Sequence, residues 1–335
     1  MTTTRRTTLA ALGLGALGLG AMLAATPALA ETRWDLSTVW PDGNFHTINA
    51  KRFAEEVSAA TGGEVVIEVR SGGQLGFKGP EHLRAVRDGL VPMADVLNIQ
   101  QVGDEPVLGA EGVPFLVSSA DELRALHRHL RPVYEAVAAR NNQKILYMVP
   151  WPTQYLHMKA KAESLDALAD TKVRAPDKNA ADMLDLAGMA GVLIPWGEVV
   201  PALASGAVSG VSTSAVSGVD GKFWEFLDYV YPTNHVWSSQ MVTVNLDAWA
   251  ALTPERQAAV EAVAARLEPE FWETSVAADG ESLDKLKAGG MQVVEIPAPM
   301  MAEFRARTAS MLEDFLARVP EAEAPVRAYL ADLGR

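Results

Sequence analysis

Cysteine is absent from the 335 residues, so no disulfide staples this fold and no lipid can be attached through an N-terminal thiol. Stability must come from a buried core, which 49% apolar residues over this length can supply. Positive charge is also short, with 29 Lys and Arg against 42 Asp and Glu and a net charge of −13. That balance excludes a surface built to track a phosphate backbone, and nucleic acid is not an expected partner. The histidines number six, His46, His82, His127, His129, His157 and His235, and none forms a metal-ligating pair. His127 and His129 are two apart on an expected helix and face different ways. After residue 30 there is no Gly-x-Ser-x-Gly elbow, no His-Glu-x-x-His helix and no phosphate loop, so the sequence offers no grounds for an enzyme, a metal or a cofactor. No later apolar run approaches the ~20 residues a bilayer requires, and the chain is not expected to be membrane-embedded.

The one long apolar stretch opens the chain. Arg5 and Arg6 precede a run from Leu9 to Ala25, and Ala28-Leu29-Ala30 ends it with small residues around a leucine. This is the pattern of an export signal cleaved after Ala30, and Thr4-Arg5-Arg6-Thr7-Thr8-Leu9 resembles a twin-arginine leader. Gly13-Leu14-Gly15-Ala16-Leu17-Gly18 matches a dinucleotide fingerprint, yet no strand precedes it, so it reads as signal core. Removing Arg5 and Arg6 leaves 27 basic residues against 42 acidic, a net charge of −15. An anionic ligand must then be held by local donors against the overall field.

Periodicity in the remainder alternates strands with helices. Ala50, Phe53, Ala54 and Val57 fall on one helical face, Gly62-Gly63 stops that helix, and Val65, Ile67 and Val69 alternate as a half-buried strand. A glycine-rich turn over Ser71–Gly76, a helix near 81–88 and a strand near 94–99 follow. This order predicts an α/β fold with largely parallel sheets. Ser119 caps a helix that Pro132 is expected to break or kink. Pro150-Trp151-Pro152 reads as a stiff crossing between two lobes. Thr253-Pro254-Glu255 opens a helix that continues to about Lys287.

The most informative stretch runs from Lys172 to Ser214. Lys172-Val173-Arg174-Ala175-Pro176 places an arginine on a strand that Pro176 ends, where its guanidinium can offer two parallel donors to a carboxylate. Ile194-Pro195-Trp196-Gly197-Glu198-Val199 and Gly206-Ala207-Val208-Ser209-Gly210 follow. Ser71-Gly72-Gly73-Gln74-Leu75-Gly76 stands earlier, and Lys222-Phe223-Trp224-Glu225 leads to Thr233-Asn234-His235. Together these segments resemble the DctP-like periplasmic solute-binding proteins of TRAP transporters, tripartite uptake systems for organic acids, across nearly the whole chain after the signal.

The resemblance implies a two-lobed clamp of the Venus flytrap kind, with a long helix spanning both lobes. Lobe I would comprise 31–150 and about 240–283, and lobe II 151–239 and about 284–335. It implies that Arg174 grips the ligand's carboxylate and that Trp196 shapes the pocket wall. Trp151, Phe77 and Trp237, on turns or strand ends, join the candidate ligand-binding residues with Gln100, Ser212, Thr213 and His235. Departures from the family pattern bear on the ligand. Hydroxyls at Ser212 and Thr213 replace a charge and an amide. Ala160, between Lys159 and Lys161, replaces a second arginine used by acidic-sugar binders, and Gln100 stands where those have glutamate. A monocarboxylate with a hydroxylated or aromatic remainder is therefore expected. The implied partners are one small and one large membrane subunit, the implied location is the periplasm, and the expected state is a monomer. A receptor for an ATP-driven importer or a sensor kinase, or less readily a periplasmic enzyme, are the alternatives.

Overall fold

The computed structural model describes residues 31–335. The export signal, its cleavage after Ala30 and the glycine fingerprint lie outside the described residues.

Eleven strands among the described residues build two sheets: β1 Thr32–Ser37, β2 Val65–Arg70, β3 Met93–Leu97, β4 Gln143–Trp151, β5 Gln154–Met158, β6 Lys172–Ala175, β7 Ala190–Leu193, β8 Gly210–Ser214, β9 Tyr229–Tyr231, β10 Ser238–Asn245 and β11 Gln292–Val293. The first sheet has the order β2-β1-β3-β10-β4 and the second β11-β9-β5-β8-β6-β7. β1 runs parallel to β2 and β3, whereas β10 is antiparallel to β3 and β4. In the second sheet β6 is parallel to β7 and β8, and β5 is antiparallel to β8 and β9. Both sheets are thus mixed where sequence order alone predicted largely parallel ones. The reason lies in the crossings: β10 returns from the second lobe into the first sheet and enters it reversed.

The lobes form for the reasons the periodicity gave. Val65 and Ile67 turn inward from β2 and meet Ala50, Phe53, Ala54 and Val57 of the helix Phe45–Ala60. Asn44 caps that helix, its side chain accepting from His46 N at 2.9 Å. The helix Ala120–Arg140 starts on Ser119 and passes through Pro132 as one element, so the expected break does not occur. The helix Pro254–Ala288 starts on Thr253 and runs 35 residues, about 50 Å. Its Val260, Val263, Leu267 and Phe271 pack into the first lobe's core, and Leu286 enters the second lobe's. It ties the two lobes along one edge.

The C-terminal helices divide between the lobes. Met300 and Phe304 of the helix Ala298–Arg307 pack in the second core, but Val326 and Tyr329 of the helix Pro320–Asp332 pack in the first. Tyr329 Oη donates to Leu116 O at 2.9 Å. The last helix therefore sits on lobe I, unlike the lobe II placement expected for all of 284–335, because its apolar stripe finds the helix Ala120–Arg140.

Four passages cross between the lobes: the long helix, the segment that carries the chain from Met311 in the second core to Phe315 in the first, and two strand connections. β4 passes to β5 through Pro152-Thr153, and β9 returns to β10 through residues 232–237. They run side by side, with Gln154 N donating to Val236 O at 2.8 Å. β4 is an edge strand, which is why Pro150 can sit within it without costing the sheet a ladder bond.

Candidate functional site

The site is assembled where the two lobes face each other. On β6, Val173 and Ala175 point into the second lobe's core, so strand alternation sends Arg174 to the opposite face. There it pairs in register with Val192 of β7 and Val211 of β8. Arg174 is only 2% exposed, the largest of the fully buried side chains. Its Nε donates to Ile194 O at 2.9 Å, and among the described residues neither Nη donates to a protein acceptor. Burial lowers its pKa to about 10, opposed by the charge of Asp177, so the guanidinium stays protonated at neutral pH. Asp177 caps the helix Lys178–Leu186 by accepting from Ala180 N at 3.1 Å, and burial raises its pKa to about 7. A buried cation with two unspent donors has the chemistry of an anion clamp.

Strand alternation also separates Ser212 from Thr213. Thr213 pairs with Tyr155, two positions along β8 from Val211, and so shares the face of Arg174. Ser212 lies on the other face, its hydroxyl 3.0 Å from His235 Nε2, while Thr233 Oγ1 holds His235 Nδ1 at 2.7 Å. His235 is fully buried and desolvation lowers its pKa to about 3, so it stays neutral. Ser212 and His235 thus form a structural pair behind the sheet, away from Arg174. Trp237 also lies apart: its Nε1 donates to Asn234 Oδ1 at 2.9 Å, and its ring joins the first lobe's core. Lys159 and Lys161 are more than half exposed and pair with Asp228 and Glu163 at 3.0 and 3.6 Å. Neither supplies a second buried cation.

Trp151 occupies the centre of an aromatic cluster at the seam. Its ring lies 4.6 Å from Trp40, 4.5 Å from His46 and 5.5 Å from Phe45. Trp196, the first residue of the helix Trp196–Ala204, reaches across from the second lobe to within 5.6 Å of Trp40. Trp40 and His46 went unnoticed in the sequence. Their one local signal was Trp40-Pro41 shortly after the end of β1 at Ser37, followed within five residues by a histidine at a helix start. Phe77 sits at the mouth, where Val39, the glycine-rich turn and Pro195–Glu198 enclose a groove of about 270 Å³. That turn needs its glycines, since Gly72, Gly73 and Gly76 all take positive φ of 61°, 72° and 83°.

Several polar contacts join the lobes around this seam. Gln100 Nε2 donates to Pro176 O at 3.2 Å, directly after the arginine strand, while its Oε1 is buried without a partner. Asn179 Nδ2 donates to Gly109 O at 3.0 Å, and Asn44 Nδ2 to Asp220 Oδ2 at 2.6 Å. Lys78 and Glu198 pair at 2.8 Å on the exposed rim. The lobes are closed on each other, and the site holds one buried cation, aromatic walls and neutral polar groups.

Residues 36–318 match the family model of bacterial extracellular solute-binding proteins, family 7, DctP. A solved Bordetella pertussis extracytoplasmic solute receptor binding pyroglutamic acid, DctP7, is 31% identical and superposes with a TM-score of 0.86, over 89% of this chain and 99% of that one. A marine-metagenome TRAP solute-binding protein specific for pyroglutamate is 28% identical, with a TM-score of 0.86 over 90% and 99% of the two chains. The monocarboxylate 2-oxoacid-binding periplasmic protein of Nostoc is 26% identical over 82% of this chain and 76% of its own length. An uncharacterised Sinorhizobium fredii protein is 27% identical over 92% of this chain, which spans 57% of that longer protein. With the two-lobed fold and the buried arginine strand in place, the chain belongs to family 7 of the bacterial extracellular solute-binding proteins, the TRAP-type receptors for small acids.

Proposed function

We propose that this protein captures a small monocarboxylic acid in the periplasm and delivers it to the small and large membrane subunits of a TRAP transporter. The observation that carries the reading is Arg174, a buried guanidinium whose two terminal nitrogens donate to no acceptor among the described residues. A carboxylate bound there receives two parallel hydrogen bonds in a site from which water is excluded. Thr213 lies on the same face and can add one neutral hydrogen bond. Trp196, Trp151 and Trp40 supply flat apolar walls, and Gln100 and Phe77 border the closure. The ligand leaves chemically unchanged.

The neutral remainder favours compact, flat or hydroxylated acids. A second carboxylate would be desolvated on closure without a cation to meet it, at a cost of several kcal/mol. The pyroglutamate bound by the two structural relatives has one carboxylate and a flat neutral ring, and such an acid fits these walls. Calorimetric titration with pyroglutamate, 2-oxo acids, hydroxy acids, aromatic acids, succinate and glucuronate tests the reading. Tight binding within the monocarboxylates is expected. Tight binding of succinate or glucuronate with every monocarboxylate ignored would overturn it.

A further inference from the structure

A second cleft, of about 480 Å³, opens where the chain passes from the second core back to the first. It is walled by the end of the helix Ala298–Arg307, the helix Met311–Arg318, the helix Pro320–Asp332 and the loop 113–116. Pro114, Phe115, Leu312 and Leu330 make the walls apolar, and Arg305, Arg327 and Arg335 set three cations against one carboxylate side chain, Glu313. That is a local excess of positive charge in a chain whose net charge is −13. Arg327 is held by both terminal nitrogens on Glu313 at 2.8 and 2.5 Å, and Arg335 donates to Glu122 at 2.7 Å. Arg305 differs from both. Among the described residues its guanidinium meets no carboxylate, and it lies over the ring of Phe115 at 4.2 Å. Phe115 takes a φ of 60°, a strained conformation for an aromatic residue. Its neighbours Val113 and Leu116 stay in the first core, while its own ring meets Phe304 of the second lobe at 5.5 Å. Its backbone N–H donates to His235 O, in the crossing between β9 and β10, at 2.7 Å.

We propose that this cleft is a second binding site, separate from that of Arg174, for an organic anion with a flat apolar body, and that its occupant favours the closed lobes. The Arg305 guanidinium is planar and positioned by its stack on Phe115, and its N–H edge can donate to a carboxylate or sulfonate. The apolar walls cover the body of such an anion, as in other ligand clefts of this size. A neutral molecule leaves the excess of cations unmet, and a compact inorganic anion leaves the walls wet. The effect on closure follows from which lobe supplies which wall. Arg305 stands on a helix of the second core, and Arg327 and Leu330 on a helix of the first. An occupant that touches both binds best at the spacing of the closed form, and by linkage it stabilises that form in return.

Calorimetry of the intact receptor with 2-naphthalenesulfonate and its uncharged counterpart, 2-naphthalenesulfonamide, tests the site. The sulfonate should bind at least about tenfold more tightly than the sulfonamide. Arg305→Glu, at an exposed position, should weaken the sulfonate by about tenfold or more, whereas Arg174→Ala should leave it within about threefold. Glu313→Gln releases Arg327 and should strengthen the sulfonate several-fold, a gain that a damaged fold cannot produce. Failure of the sulfonate to bind, equal binding of the two probes, or wild-type affinity in Arg305→Glu would overturn the site. Loss of the sulfonate in Arg174→Ala but not in Arg305→Glu would assign it to the first site and overturn the proposal likewise. Small-angle scattering tests the effect on closure without any ligand for the first site. The sulfonate should reduce the radius of gyration of the wild-type protein and not that of Arg305→Glu. An unchanged radius in saturated wild-type protein would overturn the link to closure.

Discussion

At the scale of single residues, geometry rather than charge alone makes Arg174 suitable for a carboxylate. Its Nε is spent on Ile194 O, which orients the fork and leaves the two outer nitrogens parallel. Arg174→Lys keeps a cation but not the fork. It should bind the cognate acid at least about tenfold more weakly in calorimetry, and wild-type affinity would show that charge alone suffices. Asp95 presents a different case. It is buried in the first lobe with Thr38 Oγ1 donating to it at 3.2 Å and no cation paired with it among the described residues, and desolvation raises its pKa to about 7. Its folded value lies above its unfolded value near 4, so the stability it contributes is present at low pH and lost as pH rises through 7. Asp95→Asn should therefore raise the melting temperature at pH 8 and change it far less at pH 5. An equal shift at both values would refute the titration argument.

At the scale of elements, the clearest signals in the sequence were local. Val65 to Val69 alternated as a strand must, and Ser119 and Thr253 stood where helices begin. Pro132 misled because its helix is held by packing on both flanks: Leu130, Tyr134 and Val137 are all fully buried. Ser212 and Thr213 were grouped by neighbourhood, although adjacent strand residues face opposite sides, and a two-residue period already separated them. Trp40 could not be placed at the site, because only the second lobe across the seam gives it a neighbour in Trp196. Gln100 was placed near the ligand by resemblance, and its bond to Pro176 O makes it a clasp between lobes. The buried clasp from Asn179 to Gly109 O should matter more to closure than the exposed pair of Lys78 and Glu198. Asn179→Ala is expected to weaken ligand binding several-fold and Lys78→Ala to leave it within about twofold, as read by calorimetry. The reverse order would contradict this account of closure.

At the scale of the molecule, two adjacent strand crossings, one long helix and the return of the C-terminal helices to lobe I join lobes whose facing surfaces carry the site. Such a connection permits hinge motion while preserving each core. The protein without ligand should populate a more open form, and the cognate acid should compact it without changing its oligomeric state. Small-angle scattering with and without the acid measures this directly, and an unchanged radius of gyration at saturation would indicate a rigid receptor.

The central claim is that Arg174 anchors the ligand through its carboxylate. Calorimetric titration of Arg174→Ala with the cognate acid, on protein shown by circular dichroism to be folded, tests it most directly. Truncating one partner of a buried, hydrogen-bonded charge pair costs about 2–5 kcal/mol, so affinity should fall from roughly thirtyfold to several-thousandfold. A folded Arg174→Ala protein that binds within threefold of wild type would contradict the account.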